Sequence, residues 1–167
     1  MTTHDQSPRL LVVWHSRTGA SESMARAAAK AASDEISVEC LAAHEAQAKN
    51  VLRACAYLFV CPENLGSMSG AMKEFFDRLY YAALGQIEGR PYATVIAAGS
   101  DGSGAQAQLD RIVTGWRLKR VLDPLIVNFD SQTPAEILAP KQVPETVLIK
   151  CREIGTTLGA GASMGIW

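Results

Sequence analysis

The sequence predicts a single α/β domain: a doubly wound, five-stranded parallel sheet with helices on both faces. Three observations carry that expectation. Five short apolar runs recur along the 167 residues, and most are continuous rather than alternating, as in strands buried on both faces. Segments with helical spacing separate them, the rhythm of parallel strands joined by right-handed crossovers. No repeat, low-complexity tract or Pro/Gly linker divides the chain.

The polar opening Met1-Thr2-Thr3-His4-Asp5-Gln6-Ser7-Pro8 lacks a signal-peptide core. It reads as a disordered segment, 1–8, before a domain at 9–160 and a tail at 161–167. Leu10 to Trp14 is the first buried strand. Ser21 to Ala32 follows as a helix, with Met24, Ala25, Ala28 and Ala31 on one side. Ile36 to Leu41 alternates, as a strand nearer an edge does, and a short helix is expected around Glu45 to Ala54. Tyr57 to Cys61 is the next buried strand, expected to stop at Pro62, which cannot donate to a ladder. Gly70 to Leu84 is the most strongly patterned helix, with Met72, Phe75, Phe76, Leu79 and Tyr80 at three- and four-residue spacing. A strand from Ala93 to Ala98, a helix from Ala105 to Leu118 and a fifth strand from Leu125 to Phe129 complete the alternation. The last helix is expected to start near Pro144, a residue suited to the first helical position, with Val147, Cys151, Ile154 and Leu158 inward. The Gly-rich stretch Gly159 to Trp167 reads as a mobile or interface element.

Composition narrows the functions. Sixteen Lys and Arg against seventeen Asp and Glu give a net charge of −1, with no long-range attraction to nucleic acid or anionic lipid. No apolar run is long enough to span a bilayer. Cys40, Cys55, Cys61 and Cys151 lack C-x-x-C spacing and read as buried, reduced thiols, with a cytoplasmic location expected. His4 and His44 have no partners at metal-ligand spacing, so no metal is expected. A serine-hydrolase G-x-S-x-G elbow is absent, and the first strand ends in Trp14-His15-Ser16 rather than the acidic cluster of a phosphate-receiver domain.

Ligands of doubly wound sheets bind beyond the carboxyl ends of the strands, where the winding reverses. The loops after the first, third and fourth strands are therefore the informative ones. After the first comes Ser16-Arg17-Thr18-Gly19-Ala20-Ser21. Backbone N–H groups at a helix start suit a phosphate dianion, Gly19 admits a close backbone approach, and hydroxyls reach remaining oxygens. The plainer alternative is that Thr18 or Ser21 caps the helix. There is no P-loop lysine for a triphosphate. His15, beside this loop, suits either ligand contact or a structural hydrogen bond.

After the third strand stands Pro62-Glu63-Asn64-Leu65-Gly66-Ser67-Met68, then Ser69-Gly70-Ala71-Met72-Lys73-Glu74-Phe75-Phe76-Asp77-Arg78. Irregular Gly/Ser/Asn backbone can match a heterocycle edge that both donates and accepts hydrogen bonds, and Ser69 suits a helix cap. After the fourth strand comes Gly99-Ser100-Asp101-Gly102-Ser103-Gly104-Ala105-Gln106. Its G-x-x-G-x-G spacing and position do not fit a dinucleotide fingerprint. The plainer alternative is a helix-entry loop capped by Ser103 or Asp101.

The pattern S-x-T-G-x-S after a buried first strand resembles the FMN-phosphate loop of the flavodoxin-like superfamily. The run P-x-N-x-G-S-M-S-G-x-M-K-x-F-x-D-R resembles the second flavin loop and following helix of its NAD(P)H-dependent FMN and quinone reductases. The third loop is similar to that family's glycine-rich loop. The resemblance spans Leu10 to about Leu158 and implies the strand order 2-1-3-4-5 of a flavodoxin-like fold. It implies FMN held by residues 16–21, by 62–68, and by Gly99, Ser100, Asp101, Gly102 and Gly104. It also implies NADPH or NADH as co-substrate, a small-molecule acceptor such as a quinone, ping-pong hydride transfer with no side-chain nucleophile, and a homodimer or homotetramer built on the helix after Gly70. Where relatives often carry an aromatic ring to stack on the flavin, this chain has Leu65. The competing readings are a flavodoxin-type electron carrier, whose family is markedly more acidic, and a flavin-binding protein without catalysis.

Overall fold

The computed structural model describes residues 7–167. Most of the segment expected to be disordered, residues 1–6, lies outside them; Ser7 and Pro8 are exposed. In chain order the elements are β1 (Arg9–Trp14), α1 (Ala20–Ala32), β2 (Ser37–Ala42), α2 (Ala48–Arg53), β3 (Ala56–Asn64), β4 (Ser67–Met68), α3 (Gly70–Ala83), β5 (Pro91–Ala98), α4 (Ser103–Gly115), β6 (Lys119–Arg120), β7 (Leu125–Asn128), α5 (Pro134–Leu138) and α6 (Glu145–Met164). The long strands are parallel in the order β2-β1-β3-β5, and both β6 and β7 pair β5. The fold is the expected one, with seven strands rather than five. The fifth position is shared: β6 covers the start of β5 at Pro91 and Tyr92, and β7 covers its end from Val95 to Ala98.

Alternate residues of each strand enter two cores, as the two-residue side-chain period requires. Leu11, Val13, Tyr57, Phe59 and Ile96 meet α3 and α4 on one face. Leu10, Val12, Leu58, Val60 and Val95 meet α1 and α6 on the other. The alanines of α1 permit very close helix packing: a side chain on Gly155 of α6 would collide with the carbonyl oxygen of Ala28. That contact, rather than a flexible end, explains the small residues of the last helix. α6 continues beyond residue 160 to Met164, and the Trp167 indole folds back onto Gly161. Pro144 stands at the N-cap, one residue before the position expected for it.

One further expectation is corrected. β3 does not stop at Pro62 but runs to Asn64. Its pairing with β1 ends at Trp14 opposite Val60, so the missing proline N–H falls beyond the end of that ladder. Pro62 remains in register with Ala97 of β5. β3 then turns back through Leu65 and Gly66, both at positive φ (53° and 71°), the geometry of a two-residue type I′ hairpin. Finally, the aromatic face of α3 is used inside the domain. Phe75 and Phe76 are buried and pack on Phe59 and Trp116. Tyr81 of α3 and Leu84, which follows its last residue, remain exposed. Among the described residues, no helix is long and apolar enough to cross a membrane.

Candidate flavin site

The first loop turns because Gly19 adopts φ 95°, a left-handed conformation that a side chain would strain. The Ser16 hydroxyl oxygen accepts the Gly19 N–H at 3.0 Å, tightening the turn below α1. Neither Thr18 nor Ser21 caps the helix: Gly19 is the N-cap and no side chain fills that role. Among the described residues the N–H groups of Ala20, Ser21 and Glu22 find no acceptor, as expected at an uncapped helix start. Ser21 is fully buried, and its hydroxyl also has no partner. This turn thus presents unsatisfied donors, a buried hydroxyl and the positive end of a thirteen-residue helix in one place.

The second and third loops meet each other. Glu63, at the end of β3, accepts the Gly102 N–H at 2.9 Å with Oε1 and the Ala105 N–H at 3.0 Å with Oε2. Its carboxylate therefore caps α4, whose own N-cap, Gly102, has no side chain. The Met68 N–H donates to Gln108 Oε1 at 2.8 Å, a second tie between the hairpin and α4. A side chain at Gly104 would strike the Gly66 carbonyl, and one at Gly102 would strike Ile126. Both glycines are demanded by close approach. Asp101 is exposed; its carboxylate accepts the Ser103 N–H and hydroxyl, which holds it below the usual carboxylate range. Ser69 is the N-cap residue of α3, but its hydroxyl pairs with His15 Nδ1 at 2.9 Å instead of capping the helix. Burial first, then the charges of Arg17 and His44, hold His15 below its ordinary pKa. His15 is thus a hydrogen-bonded ring joining the first and second loops.

These loops bound an open cleft at one rim of the sheet. Of the residues expected from sequence, Arg17, Thr18, Ala20, Pro62, Glu63, Asn64 and Gly99 line it. Ser16, Gly19 and Ser21 belong to the turn and helix start beside it without lining it. Leu65 to Met68 form the hairpin beyond Asn64, with Leu65 wholly exposed at its tip. Ser100, Asp101, Gly102 and Gly104 do not line the cleft; they shape the entry to α4.

Sequence reasoning missed the fourth wall, formed by Phe129, Ser131, Ile137 and Lys141 around α5. The Lys141 N–H donates to the Thr18 carbonyl at 2.8 Å, pinning this segment to the phosphate turn. Its ammonium donates to the Glu136, Ile137 and Ala139 carbonyls at the end of α5. A signal was present in Thr133-Pro134-Ala135-Glu136: a capping box with proline at the first helical position.

The residues present fit FMN. Unsatisfied donors stand at one end of the cleft for a dianion, and Ala97, Ala98, Phe129 and Ile137 give apolar wall for a planar ring beside the polar backbone of two loops. The four cysteines are free; Cys61 and Cys151 are buried and Cys40 and Cys55 half-buried. No cluster of metal-ligating side chains occurs among the described residues.

Comparison with known proteins agrees. Residues 34–132 match the NADPH-dependent FMN reductase family. A flavodoxin of Aquifex aeolicus (strain VF5) is 31% identical over 157 residues, covering 90% of this chain and 84% of that protein. A flavodoxin from the domain Archaea superposes with a TM-score of 0.77 at 15% identity, over 92% of this chain and 98% of the other. The flavodoxin, WrbA-like protein from Agrobacterium tumefaciens gives 0.71 at 17% identity, over 95% and 99%. The structural likenesses establish the fold, and the sequence match over more than half the chain establishes the lineage: this flavodoxin-like chain, a flavin-binding oxidoreductase by its relatives and its cleft, belongs to the NADPH-dependent FMN reductase family.

Proposed function

We propose that the protein is an NAD(P)H-dependent FMN oxidoreductase that passes electrons to a quinone or a similar small acceptor. The observation that carries this reading is the cleft itself, where the uncapped start of α1 at Ala20 borders the same space as the loops at Pro62–Asn64 and Gly99. When bound, FMN supplies the hydride and electron chemistry. The chain's own part is binding and positioning. The α1 turn, with Ser16, Thr18 and Ser21, would hold the phosphate, and Arg17 adds charge at the cleft mouth. Phe129 and Ile137 exclude water from the apolar wall, and the left-handed turn at Leu65 keeps that side chain clear of the cleft floor. No side chain is required to move a proton or form a bond.

A carrier role is the second reading, favoured by the flavodoxin relative that matches nine-tenths of the chain. The net charge of −1 opposes it, because carriers that dock by electrostatic steering depend on a one-sided field. Anaerobic mixing of the FMN-loaded protein with NADPH and then NADH separates the two. The enzyme reading expects bleaching of the flavin absorbance by at least one nicotinamide, with recovery when a quinone is added. Bleaching by neither, together with reduction by a one-electron donor, would establish the carrier.

A further inference from the structure

The family pattern assigns the second and third loops separately to the flavin. The structure joins them through one carboxylate. Glu63 spans from the end of β3 to the first turn of α4 and accepts two backbone N–H groups, one with each oxygen. Those groups, on Gly102 and Ala105, are the N-cap and third positions of a thirteen-residue helix, where a fixed anion is most favourably placed. The same helix turn is pressed against the hairpin so closely that Gly104 must lack a side chain, and Gln108 grips the Met68 N–H one turn further on. Glu63 nevertheless lines the cleft, beside Asn64 and across from Gly99.

We propose that Glu63 is a positioning residue that sets the spacing between the two ring-facing loops and thereby governs recognition of the isoalloxazine, while leaving phosphate recognition untouched. The inference rests on the flavin reading above. It acts through the backbone: each oxygen accepts an amide N–H that fixes the start of α4 against the hairpin. The chemistry makes a sharp prediction for Glu63→Gln. A glutamine oxygen can accept one of the two N–H groups, but its NH₂ then faces the other donor. One strong bond is lost and replaced by a donor–donor clash, so α4 must draw away from the hairpin.

The experiment compares FMN, riboflavin and inorganic phosphate. Wild type and Glu63→Gln are titrated with each, and backbone amide exchange is followed in the flavin-free protein. The expected result is that Glu63→Gln weakens riboflavin and FMN by the same factor, about tenfold for about 1.4 kcal/mol, with phosphate affinity unchanged. The Gly102 and Ala105 amides lose protection while those of β3 and β5 keep theirs. Gly104→Ala, which forces the same separation with Glu63 intact, should reproduce the ring-selective loss. Equal loss of phosphate affinity, or protection lost throughout the sheet, would mean a general folding defect and overturn the proposal. Unchanged riboflavin affinity in Glu63→Gln would overturn it alone. Failure of the wild type to bind either flavin would overturn the parent reading and this inference with it.

Discussion

Ser21→Ala separates stability from binding with opposite signs. In the protein without ligand the Ser21 hydroxyl is buried and unpartnered, a state that costs about 1–3 kcal/mol. Alanine removes the hydroxyl, keeps the Cβ and suits the first turn of α1 slightly better. The flavin-free variant should therefore be more stable by about 1 kcal/mol or more, raising Tm by about 2–4 °C per kcal/mol for a domain of this size. In the proposed FMN complex the variant loses a hydrogen bond to the charged phosphate, worth about 1.5–3 kcal/mol. Affinity should fall roughly tenfold to 150-fold, while riboflavin, which lacks the phosphate, should bind as before. Calorimetric melting of the flavin-free proteins and fluorescence titration with FMN and riboflavin provide both numbers. A lower Tm with unchanged FMN affinity would refute the reasoning, because the hydroxyl would then be serving the protein and not the ligand.

Other outcomes follow from the same structure. Ser16→Ala removes the oxygen that accepts the Gly19 N–H, so unlike Ser21→Ala it should lower both stability, by about 1 kcal/mol, and FMN affinity. His15 has a folded pKa held below its unfolded value of about 6.5, so the folded state binds the proton less well. Stability should decline as pH falls below about 6.5, and urea titrations at pH 7 and pH 5 should show that decline shrinking in His15→Gln. Gly155→Ala places a methyl against the Ala28 carbonyl, an overpacking that should cost about 1–3 kcal/mol in denaturant unfolding without changing FMN affinity at the opposite rim. Burial pushes the Cys61 thiol up to about 12, so thiol reagents at pH 8 should label half-buried Cys55 before Cys61.

Much of this architecture was legible because burial on both faces leaves a plain mark. The runs Leu10–Trp14 and Tyr57–Cys61 could only be central strands, and the hydroxyl-rich turn after the first could be placed on a rim before any coordinates. What was hidden depends on partners far apart in sequence. Pro62 looked like a stop because a proline breaks a ladder, yet β1 has already ended beside it. Leu65 stands where relatives often carry an aromatic ring, and spacing gives no sign that the turn needs two residues at positive φ and carries its side chain into solvent. Glu63 gives no sign in sequence that its oxygens accept amides 39 and 42 residues away. The stripe of Phe75 and Phe76 marked burial correctly, but spacing alone does not say whether the covering surface comes from the same chain. α5 is too short for periodicity and was recoverable only through its capping box.

The central claim is that three loops at one rim of the sheet form a cradle for FMN. Visible difference spectroscopy of the purified chain titrated with FMN tests it most directly. The expected result is a saturable perturbation of the flavin bands at one FMN per chain, shifted to higher concentration by Ser16→Ala and by Ser21→Ala. Flavin bands identical to those of free FMN at every protein concentration would contradict it.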